Sequence, residues 1–218
     1  MLGEPGEQRR LMMGDGRGRG GGGGGGGGGD AGLGKMHFDR LDAGTDADFE
    51  VMRRVHERNL AKLPDLLLSM LSSLKGDAAY PVDRLEHSVQ TATRAMRDGA
   101  DEETIVCALL HDVGETLAPL NHGVAGAALL KPFVSDQNHW VLGHHAIFQT
   151  YFYAEHLGLD PNARDQYRDS PYYQACVDFT TNWDEISFDA EYKSEPLSTF
   201  EPMVRSVLAR PWAPPGTA

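Results

Sequence analysis

His111 and Asp112 stand side by side at the end of an apolar run, and further histidines flank the pair at His87, His122 and the doublet His144-His145. An imidazole next to a carboxylate can serve two metal ions at once. The imidazole binds one ion, while the two carboxylate oxygens bridge both. Asp184, within Asn182-Trp183-Asp184-Glu185, adds another carboxylate downstream. Together these residues supply enough nitrogen and oxygen donors for a dinuclear centre of the kind used in hydrolytic and oxidative chemistry. A lone histidine on an apolar face is usually a core residue. A His-Asp dipeptide with outlying histidines before and after it is a different pattern. His37, His56, His139 and His156 lack that context and read as surface or packing residues.

Such a site requires rigid elements, and the pattern from Thr45 onward is helical nearly throughout. Thr45-x-x-Asp48 caps a helix carrying Phe49, Met52 and Val55. Pro64 is expected to interrupt it, with a second short helix from Leu66 to Leu74. Pro81 and Val82 are expected to open a helix with Leu85, His87, Val89, Ala92 and Met96 near one face, stopping at Gly99. Asp101 caps the helix that ends at His111-Asp112-Val113-Gly114. Asn121 and Ser135 read as caps of helices starting at His122 and Asp136. An aromatic helix (Phe148, Tyr151, Phe152, Tyr153) should stop near Gly158. Pro171 to Glu185 and Ser198 to Leu208 complete the series, the last with a Ser198-x-x-Glu201 capping box. Period-two alternation is absent over any useful length. The expected fold is an all-α orthogonal bundle.

At 218 residues the chain has room for one ordinary domain with a real core. The expected division is a Gly-rich extension at 1–35, containing the unbroken Gly20–Gly29 tract, and a single helical domain at 36–218. Glycine has the largest backbone entropy to lose and no side chain to bury, so the extension is expected to be disordered. The formal charge of -12 disfavours nucleic acid and anionic lipid, since phosphate binding needs clustered Lys and Arg. Cys107 and Cys176 lie in apolar helical patterns and read as buried thiols of a reducing compartment. No apolar run reaches membrane-spanning length. Gly and charged residues stand where an apolar leader core would be. A cytoplasmic location is the resulting expectation, and the oligomeric state is not legible.

The order His, His-Asp, His, His, Asp resembles the HD-domain superfamily from about Tyr80 to Asp184. The motifs read Leu85-Glu86-His87-Ser88-Val89-Gln90, Leu109-Leu110-His111-Asp112-Val113-Gly114, Asn121-His122-Gly123, Gly143-His144-His145 and Trp183-Asp184-Glu185. Within the superfamily, Leu-Glu-His-Ser-x-Gln and the Trp-Asp-Glu ending resemble the mixed-valent diiron oxygenases that cleave organophosphonates, and more distantly myo-inositol oxygenase. The resemblance implies one metal held by His87, His111, Asp112 and Asp184. It implies a second held by Asp112, His122 and His145, with Asp112 bridging. His145 is preferred over His144 because its distance to Tyr151 matches that branch. His144 remains an alternative ligand or a residue beside the site.

The chain also departs from the pattern. Where the phosphonate oxygenases have a substrate-contacting glutamate, seven positions before the first histidine, this chain has Tyr80; three positions earlier their tyrosine is replaced by Asp77. Glu115 stands where myo-inositol oxygenase and many HD hydrolases have lysine. Tyr80 and Glu115 are therefore candidate catalytic residues, with Asp77, Phe148 and Tyr151 as candidate pocket residues. Glu115, Asp77 and a cluster of Tyr80, Phe148, Tyr151 and Tyr153 suggest a site suited to an amine or quaternary ammonium.

Three functions follow. The first is a non-haem diiron oxygenase, Fe(II)/Fe(III), that uses dioxygen on a small hydroxylated or phosphonate-like metabolite. The second is a Mn-, Co- or Zn-dependent phosphohydrolase acting on a phosphoester or nucleotide. The absence of Lys or Arg directly after His-Asp counts against it, although Lys131, Arg164 or Arg168 could approach from elsewhere. The third is a helical domain without catalysis.

Overall fold

A computed structural model of the protein describes residues 32–76 and 78–210. Asp77 and residues 1–31 of the Gly-rich extension therefore lie outside the described residues. Among the described residues there are seven α-helices and no strand. They are α1 (Asp46–Ser72), α2 (Arg84–Arg97), α3 (Glu102–Leu110), α4 (His122–Leu130), α5 (Asp136–Thr150), α6 (Tyr173–Phe179) and α7 (Leu197–Leu208). By internal contacts the chain divides into two compact units, Met1–Leu63 and Pro64–Ala218, with the division inside α1.

In the first unit, Thr45 and Asp48 form the expected reciprocal cap. Thr45 donates its amide and hydroxyl to Asp48 Oδ2 at 2.9 and 2.6 Å, and the Asp48 amide faces Thr45 Oγ1 at 3.4 Å. Phe38 and Phe49 stack in front of that cap, 6.1 Å between ring centres. The expected break at Pro64 does not occur, and α1 runs through it. The carbonyl left without its donor belongs to Leu60, 39 % exposed, where water can take the bond.

In the second unit each helix start has a local cause, and several differ from expectation. The helix carrying His87 begins at Arg84, because Asp83 caps it by accepting from the Glu86 amide at 2.9 Å. Asp101 caps α3 through the Thr104 amide at 2.8 Å, and Ser135 caps α5 through the Asn138 amide at 3.3 Å. Asn121 holds the cap position of α4 without a side-chain bond, and α7 starts after Pro196 without the Ser198–Glu201 box. The aromatic run beyond α5 is not a helix of its own. After Thr150 the chain makes a turn and a short 3-10 segment, Ala154–Leu157, before Gly158 takes φ +67°.

The core of this unit is assembled by α2 on α3, α4 on α5, α5 on α6 and α7 on α3. Val89, Ala92, Ile105, Leu109, Leu142 and Phe200 are among its buried side chains. Cys107 and Cys176 are free and buried within it, and burial pushes both thiols up. No described helix is long and apolar enough to cross a membrane.

One close approach fixes where the site residues sit. The 3-10 turn after His111-Asp112, Val113–Thr116, lies against the first turn of α4. A methyl group on Gly114 would overlap the His122 carbonyl oxygen and come within 2.9 Å of the Gly126 amide nitrogen. Only glycine lets the His-Asp turn and the His122 helix meet. We predict that Gly114→Ala forces these backbones apart and destabilises the fold by on the order of 1–3 kcal/mol, read by thermal or urea unfolding. Gly143 lies inside α5 with only the Ala127 methyl 3.8 Å from such a group, so Gly143→Ala should raise stability by up to about 1 kcal/mol.

Candidate metal centre

Each site histidine comes from a separate element: His87 from the first turns of α2, His111 from the end of α3, His122 from the start of α4, and His145 from the last turns of α5. Asp112 follows His111 directly. Asp184 closes a π-helical turn, Thr180–Asp184, that leaves Asp184 fully buried while Asn182 faces solvent. This turn packs on α2, as the stripe of Cys176 and Phe179 requires.

The family-like motif residues hold this segment in place. Gln90 donates to the Asp189 carbonyl at 2.8 Å and faces its amide at 3.3 Å. Glu86 accepts from the Ser194 hydroxyl at 2.6 Å, and Trp183 donates to Asp98 at 2.7 Å. Arg94 and Arg97 bond the Ile186 and Lys193 carbonyls. The conspicuous Glu, Gln and Trp thus fasten the last carboxylate to the first histidine helix.

The ring orientations decide which nitrogen is available. His111 Nδ1 bonds the Ala108 carbonyl at 2.8 Å, His145 Nδ1 the Leu142 carbonyl at 2.8 Å, and His87 Nδ1 the Ser187 carbonyl at 2.9 Å. A carbonyl only accepts, so Nδ1 carries the hydrogen and the neutral ring presents a bare Nε2 inward. These inward nitrogens converge. The Nε2 atoms of His87 and His111 are 3.1 Å apart, and those of His122 and His145 are 3.3 Å apart. Two bare lone pairs at that distance repel unless a metal ion or a proton lies between them.

Asp112 lies between the two pairs. Its Oδ2 faces His87 Nε2 at 3.7 Å and His111 Nε2 at 3.5 Å. Its Oδ1 faces His122 Nε2 at 3.3 Å and His145 Nε2 at 3.4 Å. Asp184 Oδ1 completes the first group, 3.2 Å from His87 and 3.5 Å from His111, while its Oδ2 is buried without a hydrogen-bond partner. Donors about 2.1 Å from a common ion lie roughly 3.0–3.4 Å from one another in octahedral or tetrahedral arrangement, so these separations suit two ions. The residues fit a dinuclear group: His87, His111, Asp112 and Asp184 on one side, and Asp112, His122 and His145 on the other.

The doublet is separated by the same geometry. His144 turns away from the cluster, bonds the Trp140 carbonyl at 2.8 Å and stacks on the Trp140 ring at 4.0 Å. Phe179 closes the inner wall over His111 and His145, and Phe188 stacks on His87 at 4.3 Å. Gln149, one turn beyond His145, donates to Asp184 Oδ1 at 2.8 Å. Sequence reasoning missed Gln149, although its spacing from His145 puts both on one helix face.

Sequence reasoning also missed Arg84, one turn before His87. Its Nη1 lies 3.2 Å from Asp112 Oδ2 and 3.1 Å from Glu115 Oε1. Arg84, His122 and Glu115 are 29 %, 18 % and 14 % exposed, against 0–6 % for the other donors. The site opens on that side. Tyr80 stands there as well, 42 % exposed, stacked on Phe188 at 6.2 Å and lying under the Arg84 guanidinium at 5.2 Å.

The expected aromatic cage for an ammonium group does not form. Phe148 is fully buried against Trp140, Tyr167 and Tyr173. Arg164 covers Tyr151 at 3.6 Å. Glu115 is already paired with Arg84 and with His122. The faces of Tyr80 and Tyr151 thus carry the protein's own cations.

Burial opposes ionisation of Asp112 and Asp184, yet the surrounding histidines hold both carboxyls well below their ordinary range. Burial likewise opposes protonation of His87 and His111, but Asp184 and Asp112 outweigh it and raise both. Burial and the His145 charge lower His122, against the pull of Asp112.

Residues 84–178, from the start of α2 to within α6, match the HD domain family. Asp184 lies beyond the matched stretch. No curated protein matches the chain.

A pH dependence follows from the raised histidines. Their protonated pairing with Asp112 and Asp184 stabilises the metal-free fold fully below the ordinary histidine value of about 6.5 and is lost as pH rises through the raised values. The same rise frees Nε2 for metal. The increase in melting temperature on adding Zn2+ or Mn2+ should therefore be larger at pH 8 than at pH 6, as differential scanning fluorimetry would show. His145→Ala should lose metal while His144→Ala keeps it, measured as bound equivalents per chain.

Proposed function

We propose that this HD domain is a dinuclear metalloenzyme, and that it acts as a non-haem diiron oxygenase on a small anionic metabolite, hydroxylated or phosphonate-like. The observation that supports two metals is the placement of Asp112, one oxygen toward each histidine pair. The oxidative reading rests on the resemblance carried by Leu85-Glu86-His87-Ser88-x-Gln90 and Trp183-Asp184-Glu185. Those residues fasten Asp184 to the His87 helix, and so serve the donor set directly.

Two irons bound there would supply oxygen activation at a substrate carbon. The chain's own residues do the rest. Phe179 and Phe188 exclude water from the inner side. Arg84 presents a guanidinium at the open side, the geometry that suits a phosphonate, phosphate or carboxylate oxygen pair. Tyr80 offers its ring and hydroxyl beside Arg84, the hydroxyl 3.4 Å from Nη2.

Arg84 also favours a second reading. The cation that phosphoester hydrolysis needs, absent after His-Asp, is supplied from the preceding helix. Mn, Co or Zn held by the same donors in place of iron would polarise a phosphoester. Convergence of every donor type argues against a domain that has lost its reaction.

The deciding experiment is metal content with electron paramagnetic resonance on protein from iron-supplemented cells, partly oxidised. Two irons with a coupled mixed-valent signal, and oxygen consumption with a phosphonate or polyol, are expected. Two Mn, Co or Zn ions with phosphate release from nucleotides would replace the oxygenase by the hydrolase. In protein loaded to two metal equivalents, Arg84→Met should weaken turnover of anionic substrate at least tenfold, about the 1.4 kcal/mol of one charge-assisted bond, chiefly through KM.

A further inference from the structure

Three of the four site histidines are fixed by backbone carbonyls. His122 is held more loosely, its Nδ1 bond to the Pro119 carbonyl being 3.5 Å long. The same Nδ1 lies 3.1 Å from Glu115 Oε1. The same Glu115 oxygen is 3.1 Å from Arg84 Nη1, and Arg84 reaches on to Asp112 Oδ2 at 3.2 Å. Arg84, Glu115 and His122 therefore form a continuous polar chain along the open side.

We propose that Glu115 is a positioning residue for His122, held in place by Arg84, so that the outer metal position depends on this charged pair, whereas both histidines of the inner one are held by backbone carbonyls. This rests on the dinuclear reading above. A carboxylate on Nδ1 fixes the tautomer, aims Nε2 at the metal and makes the imidazole a stronger donor than a carbonyl does. The outer position needs that help. By these distances three donors face it against four inside, one of them shared, and His122 is the most exposed of them. Glu115 lies on the Nδ1 side of the ring, opposite the nitrogen that faces Asp112, so it acts through His122. Arg84 keeps the added negative charge neutralised and prevents Glu115 from rotating into solvent.

The test is Co2+ binding to the full chain, by chelator competition and by the visible spectrum of the second equivalent. Wild type should bind two equivalents. Glu115→Ala should keep the first unchanged and weaken the second by about 10–100-fold, His122 falling back on the distant Pro119 carbonyl. Glu115→Gln, whose amide oxygen can still accept from Nδ1, should recover part of that loss. His122→Ala should abolish the second equivalent and calibrate the scale. Thermal unfolding of the metal-free variants checks the fold, and Glu115→Asp, too short to span Arg84 and His122, serves if the alanine variant does not fold. Two equivalents of wild-type affinity and spectrum in Glu115→Ala would overturn the role of Glu115 and leave the dinuclear reading intact. One equivalent in wild type would overturn both.

Discussion

The second unit is built around a cluster of electron pairs that would repel one another without a cation. Four imidazole nitrogens and two carboxylates from separate elements are pressed together, with neighbouring histidine nitrogens only 3.1 and 3.3 Å apart. The backbone-carbonyl bonds on the outer side of each ring leave no neutral tautomer that would relieve the conflict. Burial removes the water that would otherwise screen it. Helix packing holds the donors at this distance, and the Gly114 contact with the His122 backbone makes part of that packing irreplaceable. The raised proton affinity of His87 and His111 in the metal-free state is the weaker substitute for metal.

Asp184 shows how much of the chain serves that cluster. It lies past the end of the matched HD stretch, yet Gln90, Glu86, Arg94, Arg97 and Trp183 all fasten its segment to α2 or to Asp98 just after it. Gln149 then bonds its Oδ1. A chain of net charge -12 thus commits two of its cations, Arg94 and Arg97, to that one segment.

The donors were legible in the sequence because they lie in helices with fixed periodicity, and because a His-Asp dipeptide has few structural uses. His145 could be preferred over His144 from sequence by resemblance alone; the ring stack of His144 on Trp140 supplies the physical reason. Arg84 and Gln149 escaped notice because each is an ordinary helical residue whose role depends on what lies across the site. The ammonium reading failed for the same reason: Glu115 looked like an unpaired acid until Arg84 was seen beside it. Pro81 and Pro64 misled on boundaries, where the Asp83 cap or a solvated carbonyl outweighs propensity.

The central claim is that Asp112 joins two metal positions. A crystal grown with iron or manganese, with anomalous scattering recorded at the metal edge, tests it directly. The account predicts two peaks about 3.5–4 Å apart, one contacting each Asp112 oxygen. A single peak, or a second one lying away from Asp112, would contradict it.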